Sequence, residues 1–172
     1  LTLDTHHPNG YIANSCKDRV YGDGKNLILN SVHCADFMAA NFIEKIINDD
    51  MFENTILVVL SDHLALKNTA SALLQEGDRK NLFYIFKKDA PNQLINKIGS
   101  MLDVTPTALS LVGTDILGLG LGRNLFFEDS LSNNQIGIED IINRNRNKIL
   151  SLWSFPQIDK NFNINIKNKK IN

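Results

Sequence analysis

The chain has 172 residues, of which 43% are hydrophobic and 22% charged, a composition that supplies the core of one globular domain. A formal net charge of −1 and an isoelectric point near 6.5 leave no electrostatic footprint for nucleic acid. The longest apolar run falls well short of the roughly 20 residues that cross a bilayer, so no segment here is expected to span a membrane.

In chain order, Leu1-Thr2-Leu3-Asp4 reads as a strand already in progress, with no signal peptide ahead of it. This suggests an excised fragment whose site is completed further upstream. Pro8 and the pair Asn9-Gly10 then mark a turn, which leaves His6 and His7 just past the strand end. Residues 11–30 are polar and carry Gly22-Asp23-Gly24, the composition of a long loop with one hairpin. Cys16 and Cys34 fall around this region. They are separate thiols in a reducing compartment, or a bridge closing a loop of about 20 residues in an oxidising one; the residues leave both open.

Asn30 or Ser31 is expected to cap a helix in which Ala35, Met38, Phe42, Ile43 and Ile46 recur at helical spacing, ending at Asn48-Asp49-Asp50 and packing on a sheet. Ile56-Leu57-Val58-Val59-Leu60 follows, five aliphatic residues without polar alternation. Such a run suggests a strand buried on both faces, as in a parallel sheet flanked by helices. A short helix over residues 69–76 stops at Gly77, a charged turn covers Asp78-Arg79-Lys80, and Leu82 to Phe86 forms a second apolar strand closed by Pro91. Thr105-Pro106 reads as the start of a helix through Val112, ended by Gly113. The glycines of residues 118–124 follow a helix rather than a strand, so they read as a tight loop and not as a dinucleotide fingerprint. Arg123 within it reads as a surface charge. Residues 136–153 form a further amphipathic helix, residues 162–166 alternate as an edge strand, and Lys167, Lys169 and Lys170 make a solvated tail. The fold class is α/β with a mainly parallel sheet. Residues 1–156 read as one domain portion, and residues 157–172 as a tail or edge strand.

The chemistry concentrates at the end of the aliphatic run, where Ser61 is followed by Asp62 and His63. Parallel sheets place ligands outside the carboxyl ends of their strands. Neighbours on a strand point to opposite faces, so Asp62 and His63 can meet one ion only where the backbone leaves extended geometry. Taken alone, such a pair is as readily a turn cap beside a structural histidine. If the strand before His6 and His7 lies near the aliphatic strand in a parallel sheet, the four side chains converge on one rim. Imidazole with carboxylate suits Zn, Mn or Fe, and an ion so held neutralises a phosphoryl oxygen.

The stretches Leu-Thr-Leu-Asp-Thr-His-His-Pro (1–8), Leu-Ser-Asp-His-Leu-Ala (60–65), Asp-Arg-Lys-Asn-Leu-Phe (78–83), Gly-Leu-Gly-Arg (120–123) and Leu-Trp-Ser-Phe-Pro (152–156) closely resemble the periplasmic phosphoglycerol transferase I family. That family lies in the sulfatase-like branch of the alkaline phosphatase superfamily. The resemblance implies transfer of phosphoglycerol from phosphatidylglycerol to periplasmic osmoregulated glucans, with one divalent metal, Mn or Mg ahead of Zn. It implies Asp62 and His63 as metal ligands, His6 as the histidine on the substrate phosphate, and His7 at a variable position beside it. The family's nucleophilic threonine and metal-binding glutamate lie upstream of the Thr-His-His-Pro element; neither Thr5 nor Thr69 stands in the nucleophile motif. His33 matches no motif and reads as structural. The resemblance further implies amino-terminal membrane helices outside this chain and a catalytic domain on the periplasmic face of the bacterial inner membrane, a setting that favours a Cys16–Cys34 disulfide. The competing readings are a sulfatase, a phosphoethanolamine or lipoteichoic-type transferase, and a non-catalytic domain that binds glycan or lipid headgroups.

Overall fold

A computed structural model describes residues 5, 6, 8–151, 157, 158, 164 and 165. The strand expected at residues 1–4, and His7, lie outside the described residues. The chain divides into two compact units, Leu1–Leu94 with Ala108–Thr114, and Ile95–Thr107 with Asp115–Asn172.

In the first unit, a single 3-10 turn at Asn14–Cys16 leads through bends to helix α1, Leu27–Ile47. The expected cap was Asn30 or Ser31, but Asn26 is the cap: its side chain accepts the Leu29 N–H. The helix therefore begins within the stretch read as loop, and no hairpin precedes it among the described residues. Asn30 and Ser31 are instead buried inside the helix. Asn30 accepts from the Tyr21 N–H at 2.8 Å and donates to Gly24 O at 2.7 Å, so its polarity serves the preceding loop rather than the helix end. Cys16 and Cys34, both buried, are joined as a disulfide with Cα atoms 5.6 Å apart, which fastens that loop to α1.

Strand β1, Ile56–Leu60, pairs with β2, Phe83–Lys87, in register from Ile56 opposite Lys87 to Leu60 opposite Phe83. Helix α2, Ser71–Leu74, lies between them in sequence. The pairing is antiparallel; among the described residues no strand pair is parallel. Two expectations thus change here. The aliphatic run, read as buried on both faces, is only half-buried, because two strands and one helix are too little material to cover it. Helix α1 faces the strands across an apolar groove of about 460 Å³ lined by Ala39, Ala40 and Ile43 on one side and Val59, Tyr84 and Phe86 on the other, so it does not close-pack on the sheet.

The second unit is organised by a buried carboxylate. Helix α3 runs Met101–Leu109, its last two residues belonging to the first unit, and is followed by a 3-10 turn ended by Gly113 at φ 85°. Pro106 lies inside α3 rather than at its start. The start signal is Ser100-x-x-Asp103 in capping-box form: Asp103 Oδ2 accepts the Ser100 N–H at 2.7 Å and the Ser100 hydroxyl at 3.0 Å. Pro106 has no N–H for Leu102 O, and Gly122 fills the space beside that carbonyl, where a Cβ would collide. Residues read as a tight loop form a small hairpin, β3 at Gly118–Leu119 and β4 at Gly122–Arg123. Arg123 turns its guanidinium back on the carbonyls of Gly120 and Gly122. The helix expected over residues 136–153 is broken into α4, Gln135–Arg144, and α5, Arg146–Ser151. Asn145 stands at the break as the carboxyl-terminal cap of α4, its backbone N–H and its side-chain amide both donating to Ile141 O. Beyond it, β5 at Gln157–Ile158 pairs antiparallel with β6 at Ile164–Asn165. No helix among the described residues is long and apolar enough to cross a membrane.

Candidate metal centre

The site is built from the carboxyl end of β1. Ladder pairing extends one residue past the strand, with the Ser61 N–H on Leu82 O at 3.1 Å and the Leu82 N–H on Ser61 Oγ at 2.9 Å. Beyond Ser61 the backbone bends at Asp62 and His63, and this departure from extended geometry brings two adjacent side chains to one side. The Asp62 carboxylate and His63 Nε2 stand 3.5 Å apart. That is an ion-pair contact, and it lies near the separation of about 3.0–3.4 Å that adjacent donors take at octahedral or tetrahedral angles on one ion with bonds of about 2.1 Å.

Local hydrogen bonds set both groups. Asp62 Oδ1 accepts the His63 N–H at 2.9 Å, leaving Oδ2 for a ligand. His63 Nδ1 contacts Leu64 O at 2.8 Å; a carbonyl only accepts, so Nδ1 donates in that contact, and in a neutral imidazole the lone pair is then on Nε2. An imidazole that donates through one nitrogen to a backbone carbonyl and offers the other to the metal is the usual arrangement of histidine ligands. Both side chains are open to solvent, at 88% for Asp62 and 62% for His63, as access by an ion or substrate requires.

The loop after His63 is held at three points. Ser61 ties its start to Leu82, the Arg79 guanidinium donates to Ala65 O, and Thr69 at its far end is hydrogen-bonded to Asn26, the cap of α1. These contacts were not read from the sequence, although Asp-Arg-Lys-Asn-Leu-Phe (78–83) stood among its resemblances.

His6 is exposed in the turn that its own carbonyl closes by accepting the Gly10 N–H at 2.9 Å. It does not join Asp62 and His63 in a metal-capable group: among the described residues no three of His, Cys, Asp and Glu cluster so as to hold an ion. The donor set present fits a divalent metal as a half-built site of one carboxylate and one imidazole. His33 stacks edge-on to Tyr21 with ring centroids 6.3 Å apart, away from these groups in role. In the second unit, buried Asp103 collects four donors on its carboxylate: the Ser100 N–H and hydroxyl, the Arg123 N–H at 2.7 Å and the Ser130 hydroxyl at 2.6 Å. All four are consumed internally, which makes Asp103 a structural anchor.

A family model described as Sulfatase matches residues 1–114. Phosphoglycerol transferase I of Salmonella choleraesuis is 40% identical over 168 residues, and that of Citrobacter koseri is likewise 40% identical over 168 residues. The Salmonella typhi protein of the same name is 39% identical. Each alignment covers 95% of this chain and 22% of the relative, so the chain spans about a fifth of the length of the curated relatives it matches. No solved structure matches it.

Proposed function

Because this chain belongs to the sulfatase family, we propose that it is the carboxyl-terminal part of the catalytic domain of a metal-dependent phosphoglycerol transferase. The observation that carries the reading is the Asp62–His63 pair: a carboxylate and an imidazole adjacent at a strand end, 3.5 Å apart, with the imidazole Nδ1 held by Leu64 O. The relatives named phosphoglycerol transferase I supply the reaction class. Asp62 and His63 would hold one divalent ion, Mn or Mg ahead of Zn, with a glutamate and the nucleophilic threonine contributed from upstream of this chain. When bound, the ion supplies positive charge against the phosphoryl oxygens. His6, with His7 beside it, would donate to the phosphate of the substrate and share that charge stabilisation. Threonine attacks the phosphodiester of phosphatidylglycerol, diacylglycerol leaves, and a hydroxyl of a periplasmic glucan then takes the phosphoglycerol.

This assignment puts the site on the periplasmic face of the bacterial inner membrane, with membrane attachment through a segment amino-terminal to the chain. The buried Cys16–Cys34 bridge suits an oxidising compartment. The reading also accounts for the half-exposed aliphatic run: in the intact domain β1 would join a larger, mainly parallel sheet whose flanking helices cover Ile56 to Leu60.

The test is metal content and turnover of the intact protein with phosphatidylglycerol, phosphatidylethanolamine and a sulfate ester as donors, beside the isolated 172-residue chain. Metal at one equivalent and turnover with phosphatidylglycerol are expected in the intact protein only. Preference for phosphatidylethanolamine or the sulfate ester would replace the reading by the corresponding transferase or sulfatase. A metal-free, inactive intact protein would replace it by a non-catalytic binding domain.

A further inference from the structure

We propose that Arg79 is a positioning residue for the metal pair, acting through the backbone that fixes the His63 tautomer; the inference rests on the metal-binding reading above. Leu64 O holds His63 Nδ1 at 2.8 Å, and the next carbonyl, Ala65 O, accepts from Arg79. The two carbonyls flank a single Cα, that of Ala65, so holding the second restricts the torsions that carry the first. Leu64 and Ala65 are exposed, so removing the guanidinium frees a stretch otherwise tied at Ser61 and at Thr69. The Leu64 carbonyl would then sample orientations that do not accept from Nδ1, and the imidazole would lose its fixed direction and tautomer.

The sign of the effect separates this role from a plain surface charge. Arg79 is a cation beside a cation site, so electrostatics alone predicts that removing it leaves the affinity for a divalent ion unchanged or raises it. Positioning predicts the opposite. Loss of a group that orients a metal ligand typically costs about 10- to 100-fold in metal affinity.

The experiment is calorimetric titration of Mn into the intact, metal-stripped protein in four forms: native, Arg79→Met, Arg79→Lys and Asp62→Asn. Met keeps the stem without a donor, and Lys restores one donor that can reach a carbonyl. We expect binding at least about tenfold weaker in Arg79→Met, substantial recovery in Arg79→Lys, and loss in Asp62→Asn. Hydrogen exchange should quicken at the amides of residues 63–66 in Arg79→Met alone among the folded Arg79 forms. Unchanged or tighter Mn binding in Arg79→Met, or Arg79→Lys as weak as Arg79→Met, overturns the positioning role while Asp62→Asn still reports on the metal site. If Asp62→Asn binds Mn normally, the metal assignment itself falls and this inference falls with it. Should Arg79→Met fail to fold, Arg79→Ala takes its place in the titration, with the same expected loss of affinity and the same overturning results.

Discussion

Asn26 and Thr69 are joined twice: the Asn26 side-chain amide donates to Thr69 O at 3.1 Å, and the Thr69 hydroxyl donates to Asn26 Oδ1 at 3.2 Å. The same Oδ1 accepts the Leu29 N–H that begins α1. One side chain therefore starts the long helix and closes the loop that opens with Asp62 and His63. Asn26→Ala should cost about 1–2 kcal/mol, the upper part of the range for a lost cap, because it removes the loop tie as well. Asn26→Asp retains the cap acceptor but loses the donor to Thr69 O, so it should lose less stability while still loosening the loop. Thermal unfolding and hydrogen exchange at residues 66–70 measure the two effects separately.

Asp62→Asn should abolish metal binding and turnover in the intact protein without unfolding it. The side chain is 88% exposed, so no core volume is lost, and Asn keeps an oxygen for the His63 N–H. Full activity in this variant would remove Asp62 from the site. His6→Ala should lower turnover with a smaller effect on bound metal, since His6 is assigned to the substrate phosphate. Metal-free His6→Ala protein would contradict that division of roles.

The Cys16–Cys34 bridge closes a loop with a sequence separation of 18, which on the chain-entropy model contributes about 3 kcal/mol. Replacing both cysteines by serine should lower the unfolding midpoint accordingly and add the burial of two hydroxyls to the loss. Protein from an oxidising compartment should resist maleimide labelling under non-reducing denaturing conditions. Labelling of both thiols there would refute the bridge.

Asp103→Ala should be the most disruptive single change in the second unit. The carboxylate is fully buried and takes hydrogen bonds from Ser100, Arg123 and Ser130; removing it strands several donors at about 1–3 kcal/mol each. Asp103→Asn should also destabilise, because its amide nitrogen turns a donor toward groups that are themselves donors. Denaturant unfolding of Asp103→Asn and Ser130→Ala, singly and together, should show coupling between the two positions. Additive losses would mean that their 2.6 Å contact contributes nothing.

Composition and local pattern determined much of this protein. The aliphatic run at 56–60, the apolar run after Leu82, the glycine stop at 113 and the adjacent carboxylate and imidazole at 62–63 are all legible, because each depends on a few adjacent residues and on side chains whose chemistry admits few uses. The helix starts were legible but misread. Asn26 and Ser100-x-x-Asp103 are cap signals, yet Ser31 and Thr105-Pro106 carry the same residue types, and only the choice of which polar groups are buried separates them. Asn30 shows this most plainly: by type it is a cap, and the tertiary structure buries it to hold Tyr21 and Gly24. The antiparallel pairing of β1 with β2 was not legible either, since a continuous apolar strand has no alternation to reveal its partner's direction. Nor were the ties from Arg79 to Ala65 and from Asn26 to Thr69, which link residues 14 and 43 positions apart. Sequence determines which groups can bind an ion; which backbone carbonyls hold those groups still is decided only when distant segments meet.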